Sequence, residues 1–66
     1  MREATRKALE YVSNTRGGAT IENFIEDFAP IGEQLWRELR FPERLATVDR
    51  NGKIWLTEEG KKALME

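Results

Sequence analysis

The first half of the chain carries apolar residues at the spacing of two amphipathic helices. Residues at i, i+3, i+4 and i+7 lie on one face of an α-helix. In the first predicted helix, over 3–14, the residues at this spacing are Thr5, Ala8, Leu9 and Val12. In the second helix they are Ile21, Phe24, Ile25 and Phe28. Arg16-Gly17-Gly18 ends the first helix, because glycine supplies the positive φ of many helix ends, and Thr20 can cap the second.

A third helix is predicted over about 31–40. Pro30 suits the first turn of a helix, where its missing N–H leaves no hydrogen bond unmade. The apolar face of this helix is Ile31, Leu35, Trp36 and Leu39, and the opposite face is Glu33, Gln34, Arg37 and Arg40. Pro42 disfavours helical geometry at Phe41, so we expect the chain to change direction there. Helices two and three, joined by a tight Pro/Gly turn, make a helix-turn-helix.

The second half of the chain contains a predicted β-hairpin and a last helix. Two β-prone runs, 45–50 and 53–57, flank Asn51-Gly52, the dipeptide that best fits a two-residue type I′ turn. Thr57 can then cap a short helix over 58–65, whose first turn carries Glu58 and Glu59. Ala19 can add a short third strand to the hairpin. The predicted fold class is α+β.

The two-residue turn also sets the predicted pairing of the strands. It pairs Val48 with Trp55 on the outer face of the hairpin and directs alternate residues toward the interior. The predicted core draws on every element: Leu9, Val12, Ile21, Phe24, Ile25, Phe28, Leu35, Leu39, Leu45, Ile54, Leu56 and Leu64. Trp55 then has two interpretations. It covers a helix flank, or it forms a partner interface with Val48 and Arg50, since exposed aromatic and arginine side chains are enriched at interaction hot spots.

The composition limits the chemistry available to this chain. Its 66 residues include no cysteine and no histidine, and the formal net charge is −1. A disulfide, a thiolate metal site and a histidine proton shuttle are therefore excluded, and no spacing supplies the nucleophile and base of an enzyme. We expect a single non-enzymatic domain without cofactor, metal or small-molecule substrate. No apolar run is long enough to span a membrane, so a cytoplasmic location is expected.

The order of elements, with the hairpin ending in Ile54-Trp55-Leu56-Thr57-Glu58-Glu59-Gly60, resembles the winged helix-turn-helix domains of small prokaryotic transcription regulators. In that family a Leu-Thr-x-x-Gly pattern often closes the hairpin, called the wing, and starts the C-terminal helix. Residues 56–60 match this pattern, and the resemblance covers about 4–64. It implies a three-helix core, a wing of two or three strands and a short C-terminal helix. It also implies binding of double-stranded DNA.

The resemblance implies which side chains contact DNA. The candidate set is Gln34, Arg37, Arg40, Arg44, Arg50 and Lys53. Helix three would enter the major groove with Gln34 and Arg37 at base edges and Arg40 at a phosphate. Arg50 and Lys53 flank the wing turn and would reach the backbone or the minor groove.

Each of these charges also has an interpretation that needs no DNA. Glu33 and Arg37 stand at i, i+4, where an ion pair stabilises a helix, and Arg44 can pair with Glu43. Positive charge on edge strands deters pairing with other chains. Residues 30–53 hold five basic and four acidic residues, whereas family members that bind DNA usually have a basic third helix and wing. The alternative is a protein-interaction module, whose surface is the wing or the acidic residues of helix two: Glu22, Glu26 and Asp27. A DNA-binding regulator of this size is expected to form a homodimer or to work beside another protein, because a single module of this kind buries only a modest interface.

Overall fold

The computed structural model describes residues 2–66. Its elements, in chain order, are α1 (Glu3–Thr15), α2 (Ile21–Asp27), α3 (Gly32–Arg40), β1 (Ala46–Val48), β2 (Ile54–Leu56) and α4 (Glu58–Met65). The two strands form an antiparallel sheet. The fold class is therefore α+β, as predicted, and the order of elements is consistent with a winged-helix layout. Within residues 2–66, every helix is too short or too polar to cross a bilayer.

The predicted helix boundaries rest on caps that the structure shows. Arg16 ends α1 in the left-handed region with φ 47°, and Gly17 follows with φ 78°. Thr20 and Asn23 form a reciprocal capping box at the start of α2, with bonds of 3.1 and 3.0 Å. The hydroxyl of Thr57 accepts the N–H of Gly60 at the start of α4. These three predicted boundaries are confirmed to within one residue.

Gly32 allows α2 and α3 to pack closely against each other. A Cβ atom at this position would overlap the backbone of Ile25, so a larger residue would push the two helices apart. The turn that precedes it contains Pro30, which follows a cis peptide bond, and Ile31 is the N-cap of α3. Pro30 thus lies before the helix, whereas the sequence predicted it for the first turn.

The core lies where α1, α2, α3 and the hairpin meet. The buried apolar residues are Ala8, Leu9, Val12, Ala19, Phe24, Leu35, Leu39, Leu45, Ala46 and Ile54. Most of the predicted core is confirmed, and Ile21, Phe28, Leu56 and Leu64 pack against it while partly exposed. Ile25 was predicted to lie in the core, but it is only half-buried, in a cleft between α2 and α3. Ile31 was predicted for the apolar face of the third helix, but it precedes the first turn of α3 and is 45% exposed.

The hairpin register is shifted by one residue from the predicted one. Val48 pairs with Ile54 and Thr47 pairs with Trp55. The N–H of Asp49 donates to the carbonyl of Lys53 over 2.9 Å, which leaves a three-residue loop in which Gly52 has φ 78°. A type I′ turn would need positive φ at Asn51 as well, and Asn51 does not have it. The predicted type I′ turn is therefore wrong.

The side chain of Asp49 gives the physical reason. Its Oδ1 atom accepts the backbone N–H groups of Asn51 and Lys53, at 2.8 and 3.0 Å. These bonds stabilise a three-residue loop that ends in a left-handed glycine, one of the common hairpin solutions.

The new register changes which hairpin residues share a face. Val48 lies on the same face as Ile54 and packs against the core, so the prediction that it lies beside Trp55 on the outer face is wrong. The predicted third strand is reduced to one bridge between Thr20 and Lys53, supported by a 2.9 Å bond from the N–H of Ile54 to the carbonyl of Ala19.

Candidate nucleic-acid interface

The exposed face of α3 is centred on Arg37. Leu35 and Leu39 are buried, and at about 100° per residue Arg37 lies on the opposite side of the helix. Gln34 and Glu33 flank Arg37 and are also exposed. The core contacts of α3 thus fix which side chains its outer face presents to a partner.

A chain of polar contacts orients Gln34. Its Nε2 atom donates to Oε2 of Glu38 over 3.2 Å, and the other oxygen of Glu38 accepts from Arg2. A carboxylate only accepts hydrogen bonds, so the amide nitrogen of Gln34 must face it. The carbonyl oxygen and the second N–H then remain for another partner. Sequence reasoning missed Arg2, because the contact with Glu38 spans 36 positions and has no local signal.

Arg40 lies on the side of α3 that faces α2. Its guanidinium carbon is 5.6 Å from the ring centroid of Trp36, a cation–π distance, and the residue is half-buried. Arg44 lies in the connection between α3 and β1 with φ 37°, and it is exposed. The structure therefore brings Arg37 and Arg40 to one helix surface and leaves Arg44 outside it.

The hairpin loop carries the other two candidate residues. Arg50 is exposed in the loop, and Lys53 is half-buried where the hairpin meets the start of α2. Asp49 organises this loop and was not among the predicted site residues. Its Oδ2 atom accepts the indole N–H of Trp55 over 2.9 Å, in addition to the two backbone bonds at Oδ1. The bond from Trp55 and those from the backbone lower the pKa of Asp49 below its usual value.

A signal for Asp49 was present in the sequence. Aspartate just before a turn often accepts hydrogen bonds from the backbone two residues on, and Asp49 precedes Arg50-Asn51-Gly52. The bond from Trp55 could not be anticipated in the same way, because the predicted register paired Asp49 with Ile54 and so placed Asp49 on the opposite face of the hairpin from Trp55.

The candidate basic residues have no carboxylate partner within residues 2–66. The ion pairs in that part of the chain join Arg2 to Glu38, Lys7 to Glu3 and Lys61 to Glu58. The predicted helical pair between Glu33 and Arg37 therefore does not form, nor does a pair between Arg44 and Glu43. The side chains at positions 37, 40, 44, 50 and 53 thus form no ion pair within 4.0 Å in this part of the chain, although the charge of Lys53 contributes to the lowered pKa of Asp49.

Trp55 covers the end of α1. A Cβ atom at Gly17 would overlap the six-membered part of the indole, so ring and glycine are in close contact. The side chain nevertheless remains 43% exposed. The structure thus supplies the helix-flank contact that the sequence offered as one interpretation of Trp55.

The acidic residues of α2 lie on another surface. Glu22, Glu26 and Asp27 are exposed, and Asp27 accepts the hydroxyl of Tyr11 over 2.6 Å. Burial, together with this bond to a carboxylate, raises the pKa of Tyr11 to about 12. Tyr11 packs edge-on against Phe24 and Phe28. A phosphate would be repelled from this surface.

Comparison with known proteins found no matching family model, no similar curated protein and no similar solved structure.

Proposed function

We propose that the chain is a winged-helix domain that binds double-stranded DNA through α3 and the hairpin. The observation that carries this proposal is the set of basic residues that form no ion pair. Arg37 and Arg40 on α3, and Arg50 and Lys53 on the hairpin, form no ion pair within residues 2–66, whereas Arg2 is engaged by Glu38. Unpaired cations on a helix and a hairpin suit a polyanion, because phosphate neutralisation releases counterions.

The exposed face of α3 carries the groups for reading bases. Arg37 can donate two hydrogen bonds to guanine, and Gln34 retains an acceptor and a donor that match the edge of adenine. The hydrogen bond from Gln34 to Glu38 limits the rotation of the Gln34 amide, which lowers the entropy cost of a contact with adenine. In this proposal Arg40, Arg50 and Lys53 contact phosphates, and Arg44 contributes only long-range attraction.

The test compares matched charge removals by fluorescence anisotropy with a labelled duplex. Arg37→Ala and Arg50→Ala each remove one charge from the proposed surface, and each should weaken binding and reduce the slope of log affinity against log salt by about 0.9. Lys62→Ala removes one charge from an exposed position on α4 and should change neither quantity appreciably. Equal effects of all three substitutions would indicate attraction by overall charge and contradict a defined surface.

The second candidate is a protein-interaction module, and the acidic surface of α2 favours it. Glu22, Glu26 and Asp27 are exposed together, and no basic residue lies between Thr20 and Asp27. Such a surface fits a basic protein partner. If the duplex shows no binding at about 100 μM protein and low salt, near the weak end of non-specific DNA affinity, this function replaces DNA binding.

A further inference from the structure

An aromatic cleft opens beside the proposed DNA-binding face. It has a volume of about 390 Å³ and runs along α3 beside Ile25 of α2. Its lining residues are Ile25, Glu33, Trp36, Arg37, Arg40 and Phe41. The volume is at the low end of the range for small-ligand sites, which suits one flat ring better than a peptide helix.

Phe41 is the exposed aromatic residue of this cleft. It is 65% exposed, although exposing an apolar ring to water is energetically unfavourable. The backbone of Phe41 is extended, with φ −143° and ψ 140°, and its N–H donates to the carbonyl of Arg37 over 3.0 Å. The extended backbone thus places Phe41 directly after α3, where it lines the cleft.

The other walls supply a second ring and two cations. Trp36 packs edge-on against Phe24, which anchors its ring, and the guanidinium of Arg40 lies 5.6 Å from that ring. Neither Arg37 nor Arg40 has a carboxylate partner within 4.0 Å in residues 2–66, and Glu33 is the one acidic residue of the lining. Aromatic rings beside arginines favour a flat ligand that carries negative charge.

We infer that this cleft binds an unstacked nucleobase, with an adjoining phosphate held by Arg40. The inference rests on the proposed function, since Arg40 belongs to the proposed DNA surface. Within a duplex the faces of the bases are covered by their neighbours, so a base that stacks on Phe41 must come from a strand end or a single-stranded overhang. The ligand that suits the cleft is therefore a duplex with an overhang.

The experiment compares a blunt duplex with the same duplex carrying an oligothymidine overhang, by fluorescence anisotropy. The overhang should strengthen binding by about tenfold, the order expected from one base on an aromatic platform. Phe41→Ala should abolish this gain and leave blunt-duplex affinity within about twofold. Met65→Ala is the matched control, because Met65 is an apolar side chain 87% exposed on α4, and it should leave the gain intact. Circular dichroism and thermal melting verify that both variants are folded.

A second readout reports on the cleft itself. In a Trp55→Phe background Trp36 is the only tryptophan, so oligothymidine alone should quench its fluorescence, and Phe41→Ala should remove the quenching. Equal binding of blunt and overhang duplexes, or a gain that survives Phe41→Ala, would overturn the inference and leave duplex binding standing. Phe41-dependent quenching without duplex binding would support nucleobase binding in the cleft and contradict the proposed function. A Phe41-dependent dimer in sedimentation, without quenching, would assign the cleft to a second copy and overturn the inference.

Discussion

The indole N–H of Trp55 donates to Oδ2 of Asp49 over 2.9 Å, while the same ring lies against Gly17. One side chain of β2 thereby joins the hairpin loop to the end of α1. Because Oδ1 of Asp49 also accepts two backbone N–H groups of the loop, Asp49 holds the residues around Arg50 in one conformation. The shape of the proposed wing thus depends on a carboxylate and an aromatic ring that do not themselves need to contact DNA.

The lowered pKa of Asp49 predicts a loss of stability in acid. A carboxyl group whose pKa is lower in the folded state than in the unfolded state stabilises the folded protein. This contribution is fully present above the usual pKa of 3.8, and it is lost as the pH falls through the folded-state pKa. The free energy of unfolding should therefore decrease below about pH 4. Asp49→Asn should show a smaller decrease over the same range, as measured by urea denaturation at several pH values. An identical pH dependence in the two proteins would contradict this assignment.

Gly17→Ala should destabilise the protein more than Gly52→Ala. Both glycines have φ 78°, so alanine at either position pays the cost of left-handed geometry, about 1 kcal/mol. Gly52 has no neighbour within 4 Å of an added Cβ, whereas at Gly17 the methyl group would overlap Trp55 and displace the ring from Asp49. Thermal melting measures the difference. In a Trp55→Ala background the two substitutions should cost the same, and a difference that persists there would show that the ring is not its cause.

Trp55→Ala separates the two interpretations of that residue. More than half of the side chain is out of water, so we expect a loss of about 1 to 2 kcal/mol in the free energy of unfolding. Trp55→Phe keeps a ring against Gly17 and should lose less. The comparison is made by urea denaturation, with duplex binding measured in parallel. If Trp55→Ala weakens binding or self-association without any loss of stability, Trp55 is a contact residue instead.

Phe24→Ala should cost on the order of 3 kcal/mol, the usual range for a buried aromatic residue. Phe24 is fully buried and contacts the rings of Tyr11, Phe28 and Trp36. A loss of that size could unfold a domain of 66 residues at room temperature. Phe41→Ala is the matched control, because the same side chain at 65% exposure should cost little. An unchanged melting temperature for Phe24→Ala would contradict the position of α2 in the core.

The parts of the fold that local chemistry specifies could be predicted from the sequence. The left-handed end of α1 at Arg16-Gly17 and the caps at Thr20 and Thr57 depend on residues within a few positions of one another. The helical stripe around Phe24 is equally local. Each of these features follows from a known preference of one or two residue types, so sequence alone was sufficient.

The hairpin register and much of the candidate site depend on contacts that local preferences do not specify. Asn51-Gly52 favours a type I′ turn in isolation, but Asp49 stabilises the three-residue alternative and shifts every pair by one. The contact between Arg2 and Glu38 joins distant parts of the chain. Such contacts form only once tertiary packing brings the elements together. The sequence could therefore predict which charged residues belong to the candidate site, but not their positions relative to one another.

The central claim is that α3 and the hairpin together bind double-stranded DNA, and chemical-shift mapping tests it most directly. A ¹⁵N-labelled sample is titrated with an unlabelled duplex at low salt. We predict that the largest shifts occur at Gln34, Arg37 and the loop from Arg50 to Lys53, that they diminish as salt is added, and that Glu22 and Glu26 on α2 do not shift. Shifts confined to α2, or no shifts at about 100 μM protein with excess duplex, would contradict the claim.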